Sequence, residues 1–126
     1  MTSETAEGFV IFRDSLYSRK RIIFHIFLHF LVPALVAFIF FRKSWQKAFI
    51  IMMLTMVIDI DHLLATPIYD PMRCSMGFHP LHTWPFVCLY SALLLWPKTR
   101  IIGAGLIIHM VLDSIDCKIN LGVWMM

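Results

Sequence analysis

The chain has 126 residues, of which 60% are hydrophobic and only 15% are charged, and its mean hydropathy is +0.77. A soluble domain of this size cannot bury so much apolar surface, so the composition favours an integral membrane protein over a soluble helical domain with an apolar interface. The net charge of +3 falls mostly in short clusters beside apolar runs, and we expect no nucleic-acid partner.

The first 21 residues are too polar for a secretory signal. In a short helix, Phe9, Phe12 and Leu16 would share one side while Arg13 and Arg19 lay elsewhere, an arrangement that suits the membrane surface. Residues 1–21 are therefore predicted to form either an N-terminal tail or an interfacial helix.

Residues 22–126 are predicted to be a single all-α domain, an antiparallel bundle of four transmembrane helices. The predicted spans cover about 22–41, 48–65, 81–96 and 101–117. The first has no charged residue over a length that crosses a hydrocarbon core of about 30 Å. The second contains Asp59, Asp61 and His62, and the fourth is long enough only if Asp113 lies inside it. Ionisable groups inside a bilayer are costly, so they are functional candidates.

Four antiparallel spans bring both termini and the connection 66–80 to the same side of the membrane. Every histidine then falls in the half of the bilayer nearest that side, and Asp59, Asp61 and Asp113 fall there as well. The candidate metal ligands are His25, His29, Asp59, Asp61, His62, His79, His82, His109 and Asp113. We therefore expect one polar cluster at one end of the bundle.

Spacing along the helices supports this cluster, because residues three or four apart share a helix face. His25 and His29 are four apart, as are His109 and Asp113, and Asp59 and His62 are three apart. Asp61 points away from Asp59 in a regular helix. Either one of these aspartates supports another ligand or caps the helix, or the helix is distorted there.

Imidazole and carboxylate ligands suit zinc, with manganese or iron as alternatives, and the residues are enough for one or two ions. Such an ion would activate a water molecule to attack a phosphorus or carbonyl centre. An aspartate that does not bind the metal, Asp59 or Asp70, would act as the general base. Arg73 is either a solvated loop charge or a group that binds a phosphate oxygen. Cys74, Cys88 and Cys117 lack a metal-binding or redox spacing and are predicted to be free thiols.

Four motifs, HFLVPALVA with His29, DIDH at 59–62, HPLH at 79–82 and HMVLD at 109–113, resemble those of the YdjM-like predicted membrane-bound metal-dependent hydrolases. The resemblance implies a bacterial inner-membrane enzyme. At the third motif that family commonly has HRGxTH, so either His79 or His82 could be the ligand. The order of ligands is also similar to part of the set in zinc-dependent phospholipase C and P1-type nucleases, which implies phosphoester substrates.

The predicted ligands lie roughly 5 to 12 Å below the membrane surface, at the depth of lipid headgroups and their ester linkages. The sequence therefore predicts two partners, the lipid bilayer itself and a lipid-like substrate. A thin bundle of four helices also favours a homodimer. Two alternatives stay open, namely a structural Asp–His network without metal and a transporter of metal ions or protons.

Overall fold

The computed structural model describes residues 3–68, 70 and 72–126. Within these residues the chain forms four α-helices and no strand, which confirms the all-α prediction. The helices are α1 (Ser3–Phe40), α2 (Trp45–Leu54), α3 (Trp84–Leu95) and α4 (Arg100–Leu121). Three 3-10 segments lie between them, at Arg42–Ser44, Thr55–Leu64 and Pro80–His82.

Helix α1 joins the predicted N-terminal segment to the first predicted span without a break, and it continues through Pro33. Its 38 residues extend over about 57 Å at the usual rise of an α-helix. The part from Thr5 to Phe40 is long and apolar enough to cross a membrane. Among the described residues it is the one helix that meets this criterion, and the apolar helix Trp84–Leu95 is shorter.

The second predicted span changes geometry halfway. It begins as α2 and continues as the 3-10 segment Thr55–Leu64, which contains the DIDH motif. A 3-10 helix has three residues per turn rather than 3.6, so residues three apart lie directly above one another. The helix is thus distorted at the two aspartates, the condition under which both can serve one site.

Helix α4 lies at the centre of the fold and packs against each of the other three helices. Two glycines permit the closest approaches. A Cβ atom at Gly103 would lie 2.1 Å from the backbone nitrogen of Leu94, and one at Gly105 would lie 2.6 Å from Thr55 Oγ1. Three alanines, Ala37, Ala48 and Ala104, pack with Met52 in a core cluster where α1, α2 and α4 meet. Small side chains therefore set the spacing of the bundle.

Cys74, in the loop that precedes α3, forms a disulfide with Cys117 near the end of α4. The prediction of free thiols is therefore wrong for these two residues, whereas Cys88 is free and exposed. The Cα atoms of the bonded pair are 5.2 Å apart although the residues are separated by 43 positions, because the loop folds back onto α4. This bond ties the segment that leads into HPLH to the helix that carries HMVLD.

Many large apolar side chains lie on the outside of the bundle. Phe27, Leu54, Leu63, Leu95 and Ile119, for example, are all more than half exposed. Scattered apolar side chains are ordinary on soluble proteins, but a surface this rich in them is typical of a site of contact with lipid or protein.

Candidate metal centre

The six histidine rings form one continuous chain of contacts. Neighbouring ring centroids are 3.8 to 5.4 Å apart along the order His25, His29, His109, His82, His62, His79. Helix α1 supplies the first two rings and α4 the third. The 3-10 segments Thr55–Leu64 and Pro80–His82 supply His62 and His82, and the end of the loop between them supplies His79. The structure thus brings together residues that are up to 84 positions apart in the sequence.

Four groups converge at the centre of this chain: Asp59, His82, His109 and Asp113. His82 Nε2 lies 3.3 Å from His109 Nε2, and Asp113 Oδ2 lies 3.2 Å from the first and 3.3 Å from the second. Asp59 Oδ1 lies 3.0 Å from His109 Nε2 and 3.5 Å from His82 Nε2. Zinc ligands about 2.0–2.1 Å from a tetrahedral ion are about 3.3 Å from one another, so the five separations fit such a site.

Hydrogen bonding alone does not account for these contacts. Asp113 Oδ2 is buried and has no hydrogen-bond partner, although two imidazole nitrogens lie within 3.3 Å of it. His109 Nδ1 is also buried without a partner. A cation among the four groups would satisfy the carboxylate oxygen that the histidine protons do not reach.

Asp61 supports His82. Its Oδ2 atom accepts hydrogen bonds from His82 Nδ1, at 3.0 Å, and from the backbone N–H of Leu81, at 2.9 Å. A carboxylate can only accept, so the His82 proton is on Nδ1 and the Nε2 lone pair points into the centre. Such a carboxylate contact is the usual way in which a protein fixes the orientation of a metal-binding histidine. Asp61 therefore contacts the outer nitrogen of His82, whereas Asp59 lies at the centre itself, beside the Nε2 atoms of His82 and His109.

A second group lies on the α1 side and comprises His25, His29 and Asp113. Asp113 Oδ1 lies 3.1 Å from His25 Nε2 and 3.4 Å from His29 Nε2. His29 donates its Nδ1 proton to the carbonyl oxygen of His25, at 3.0 Å, which leaves Nε2 free to bind an ion. The predicted four-residue spacing of this pair therefore directs both rings to the same carboxylate.

In a third group, Asp61, His62 and His79, the polar atoms of Asp61 and His62 already have partners. His62 Nδ1 lies 3.2 Å from Asp61 Oδ1, and His62 Nε2 lies 3.2 Å from Ser75 Oγ. The His79 ring stacks on His62 with centroids 3.8 Å apart. Burial, with the neighbouring His62 ring, lowers the pKa of the His79 imidazole. These contacts suit a packed polar support for the loop better than an ion site.

The structure does not bring Asp70 or Arg73 into any of the three His–Asp groups found among the described residues. Arg73 donates to the carbonyl oxygens of Pro67 and Ile68, at 2.8 and 2.9 Å, and lies over the Phe78 ring. Asp70 accepts a hydrogen bond from the backbone of Met72. Both residues line a cavity of about 90 Å³ that also borders His25, and their predicted catalytic roles stay predictions.

Three polar residues that border these groups had no predicted role at the site. Ser75 contacts His62, Asp116 Oδ1 lies 3.8 Å from His25 Nδ1, and Asn120 accepts a hydrogen bond from Arg21. Asp116 follows Asp113 by three positions, so the spacing that identified HMVLD could have been extended to it. Ser75 and Asn120 carry no comparable signal in the sequence.

A model of a protein family, described as "Family of unknown function (DUF6122)", matches residues 19–120. This match covers most of the chain, and the chain therefore belongs to that family. No curated protein and no solved structure matches the chain.

Proposed function

We propose that this member of a family of unknown function is a membrane-embedded, metal-dependent hydrolase of the YdjM-like kind. Its centre would be a divalent ion held by Asp59, His82, His109 and Asp113, with zinc as the best fit and manganese or iron as alternatives. The observation that carries the proposal is Asp113 Oδ2, which is buried, lacks a hydrogen bond and faces two imidazole nitrogens within 3.3 Å.

The helix lengths support a bundle in the membrane. Helix α2 and the 3-10 segment Thr55–Leu64 together extend over about 35 Å, and the 22 residues of α4 over about 33 Å. Both lengths exceed a hydrocarbon core of about 30 Å, as does α1. Helix α3 is shorter, at about 18 Å. We propose that it is the fourth helix of an antiparallel bundle whose exposed apolar side chains face the lipid.

An ion at this centre would polarise the bond to be cleaved and lower the pKa of a nearby water molecule. The residues of the chain would bind the ion and orient the groups around it. His82 is fully buried and held by Asp61, and His109 and Asp113 are almost fully buried, whereas the side chain of Asp59 is 39% exposed. The centre is therefore open on the side of Asp59, which places this carboxylate where a substrate and water would approach.

A lipid-like phosphoester or ester is the substrate class that fits the depth of the centre. His82 shortly precedes α3, and Asp113 lies eight residues, or about 12 Å, before the last residue of α4. Headgroups and ester linkages lie at that depth in a bilayer. The similarity of the ligand order to zinc-dependent phospholipase C favours phosphoesters.

The test is hydrolysis by protein purified without chelators and reconstituted in lipid nanodiscs. Phospholipids, lipid phosphates and chromogenic esters serve as substrates, with EDTA treatment and metal add-back as the control for the ion. We expect His82→Ala to abolish turnover. Ser91→Ala, on helix α3 but remote from the centre, should retain it. Zinc, manganese and iron are measured by elemental analysis in the same samples.

Two results would contradict the proposal. Equal turnover in the wild type and in His82→Ala would remove the centre from the reaction. A wild-type protein without bound transition metal would instead favour the structural Asp–His network, in which the histidine protons neutralise the carboxylates.

A further inference from the structure

Asp113 is the one residue shared by two of the His–Asp groups found among the described residues. Its two carboxylate oxygens face different partners. Oδ1 lies 3.1 Å from His25 Nε2 and 3.4 Å from His29 Nε2, whereas Oδ2 lies 3.2 Å from His82 Nε2 and 3.3 Å from His109 Nε2. One carboxylate thus has a pair of imidazole nitrogens on each oxygen.

We infer that a second divalent ion binds between Oδ1 of Asp113 and the Nε2 atoms of His25 and His29, so that Asp113 bridges two ions. The inference rests on the proposed metal centre and adds a second ion to it. Two-metal centres are common in enzymes that cleave phosphoesters, where the paired ions stabilise the attacking and the leaving oxygen. A bridging carboxylate also explains why a group only 5% exposed is retained at the middle of α4.

The two ions would differ in access. The group around Oδ2 has four protein ligands, of which Asp59 is 39% exposed, whereas the group around Oδ1 has only three and so offers a further open position. His25 is half-buried and borders the cavity that is also lined by Asp70, Arg73 and Asn120. The second ion would therefore also face a water molecule or an anionic substrate oxygen, which would enter from the loop side, whereas access to the first ion is from the side of Asp59.

One hydrogen bond and one carboxylate near this second site leave the Nε2 atoms of both histidines available to an ion. His29 donates Nδ1–H to a backbone carbonyl, and His25 Nδ1 points towards Asp116 Oδ1, 3.8 Å away. Each ring then directs its Nε2 atom at the same oxygen of Asp113. In the third group, by contrast, Asp61 Oδ2 and His62 Nε2 are bonded to residues outside the group, the first to Leu81 and His82 and the second to Ser75. We therefore expect two ions per chain and not three.

The test counts ions in the full chain, purified in detergent and saturated with manganese chloride. We expect two Mn²⁺ per wild-type chain, with an electron paramagnetic resonance spectrum of an exchange-coupled pair. His29→Ala and the half-buried His25→Ala should each retain one ion with the spectrum of isolated Mn²⁺, and Asp113→Ala should retain neither. His79→Ala, which removes a buried imidazole outside both groups, should retain the coupled pair.

Three outcomes would overturn the inference without contradicting the ion bound by Asp59, His82, His109 and Asp113. They are one ion per wild-type chain, two ions without coupling, or a coupled pair that survives His25→Ala and His29→Ala. A wild-type chain without bound metal would overturn the proposed function as well, so the two failures are distinguishable. Circular dichroism of each variant checks that the helices are retained, and His25→Ala is the variant least expected to disturb packing.

Discussion

Replacing Gly103 with alanine tests whether the close approach of α3 and α4 positions the metal centre. The added Cβ atom would lie 2.1 Å from the Leu94 nitrogen and 2.5 Å from its Cα, whereas ordinary contact begins at 3.4 Å. Because the obstructing atoms are backbone atoms, no side-chain rotation relieves the overlap. The two helices would have to separate by about 1 Å, a shift of the kind that makes overpacked cores unstable.

The expected cost is at the upper end of the usual range for overpacking, about 3 kcal/mol. The change from glycine to alanine in a helix recovers about 0.5–1 kcal/mol, so the net loss should be about 2 kcal/mol. Separation of α3 and α4 also lengthens the 3.3 Å contact between His82, which directly precedes α3, and His109 on α4. Metal affinity should fall together with stability.

The assay is unfolding of the detergent-solubilised protein, followed by circular dichroism, with metal binding measured by competition with a chelator. Gly8→Ala is the matched control, because a Cβ atom there meets nothing within 4 Å in the same type of helix. It should leave stability unchanged or raise it slightly. If Gly103→Ala is as stable and binds metal as tightly as Gly8→Ala, the packing of α3 against α4 does not set the geometry of the centre.

Three further predictions concern the disulfide, the support of His82 and the topology. Cys74→Ser should lower the free energy of unfolding by about 4 kcal/mol, the entropy expected for a loop of 43 residues, whereas Cys88→Ser should leave it unchanged in the same denaturation assay. Asp61→Asn should raise the dissociation constant for metal about 10- to 100-fold while every ligand is retained, and equal affinity in a chelator competition would contradict the role of Asp61. Reporter fusions at the two termini should report the same compartment, and opposite compartments would exclude four spans.

The residues that the structure brings together were largely predictable, because intramembrane charge is costly and helical spacing is regular. His25 with His29 and His109 with Asp113 needed only the four-residue period of a helix and an even number of spans. The choice between His79 and His82 was not predictable. It depends on where the backbone turns after Pro80, which directs His82 into the centre and leaves His79 stacked on His62.

The contacts made by the 66–79 loop could not be predicted from the sequence, because they depend on how an irregular segment folds back. Cys74 and Cys117 are 43 positions apart and share no motif, so nothing in their spacing indicated the bond. For Arg73 the sequence leaves a solvated loop charge and a phosphate contact open, and the structure adds that its guanidinium donates to two carbonyl groups of its own loop. Such local hydrogen bonds satisfy backbone groups that have no helical partner.

The 3-10 segment Thr55–Leu64 has ten residues, whereas most 3-10 helices extend for only three or four. A change of its hydrogen-bond register to that of an α-helix would shorten it by about 5 Å, since the rise per residue falls from about 2.0 to 1.5 Å. The same change would turn Asp61 by about 40° relative to Asp59 and so alter its contact with His82. The angle between these two aspartates therefore depends on the number of residues per turn in this segment. Any event that rewinds the segment would first change the contact between Asp61 and the His82 imidazole.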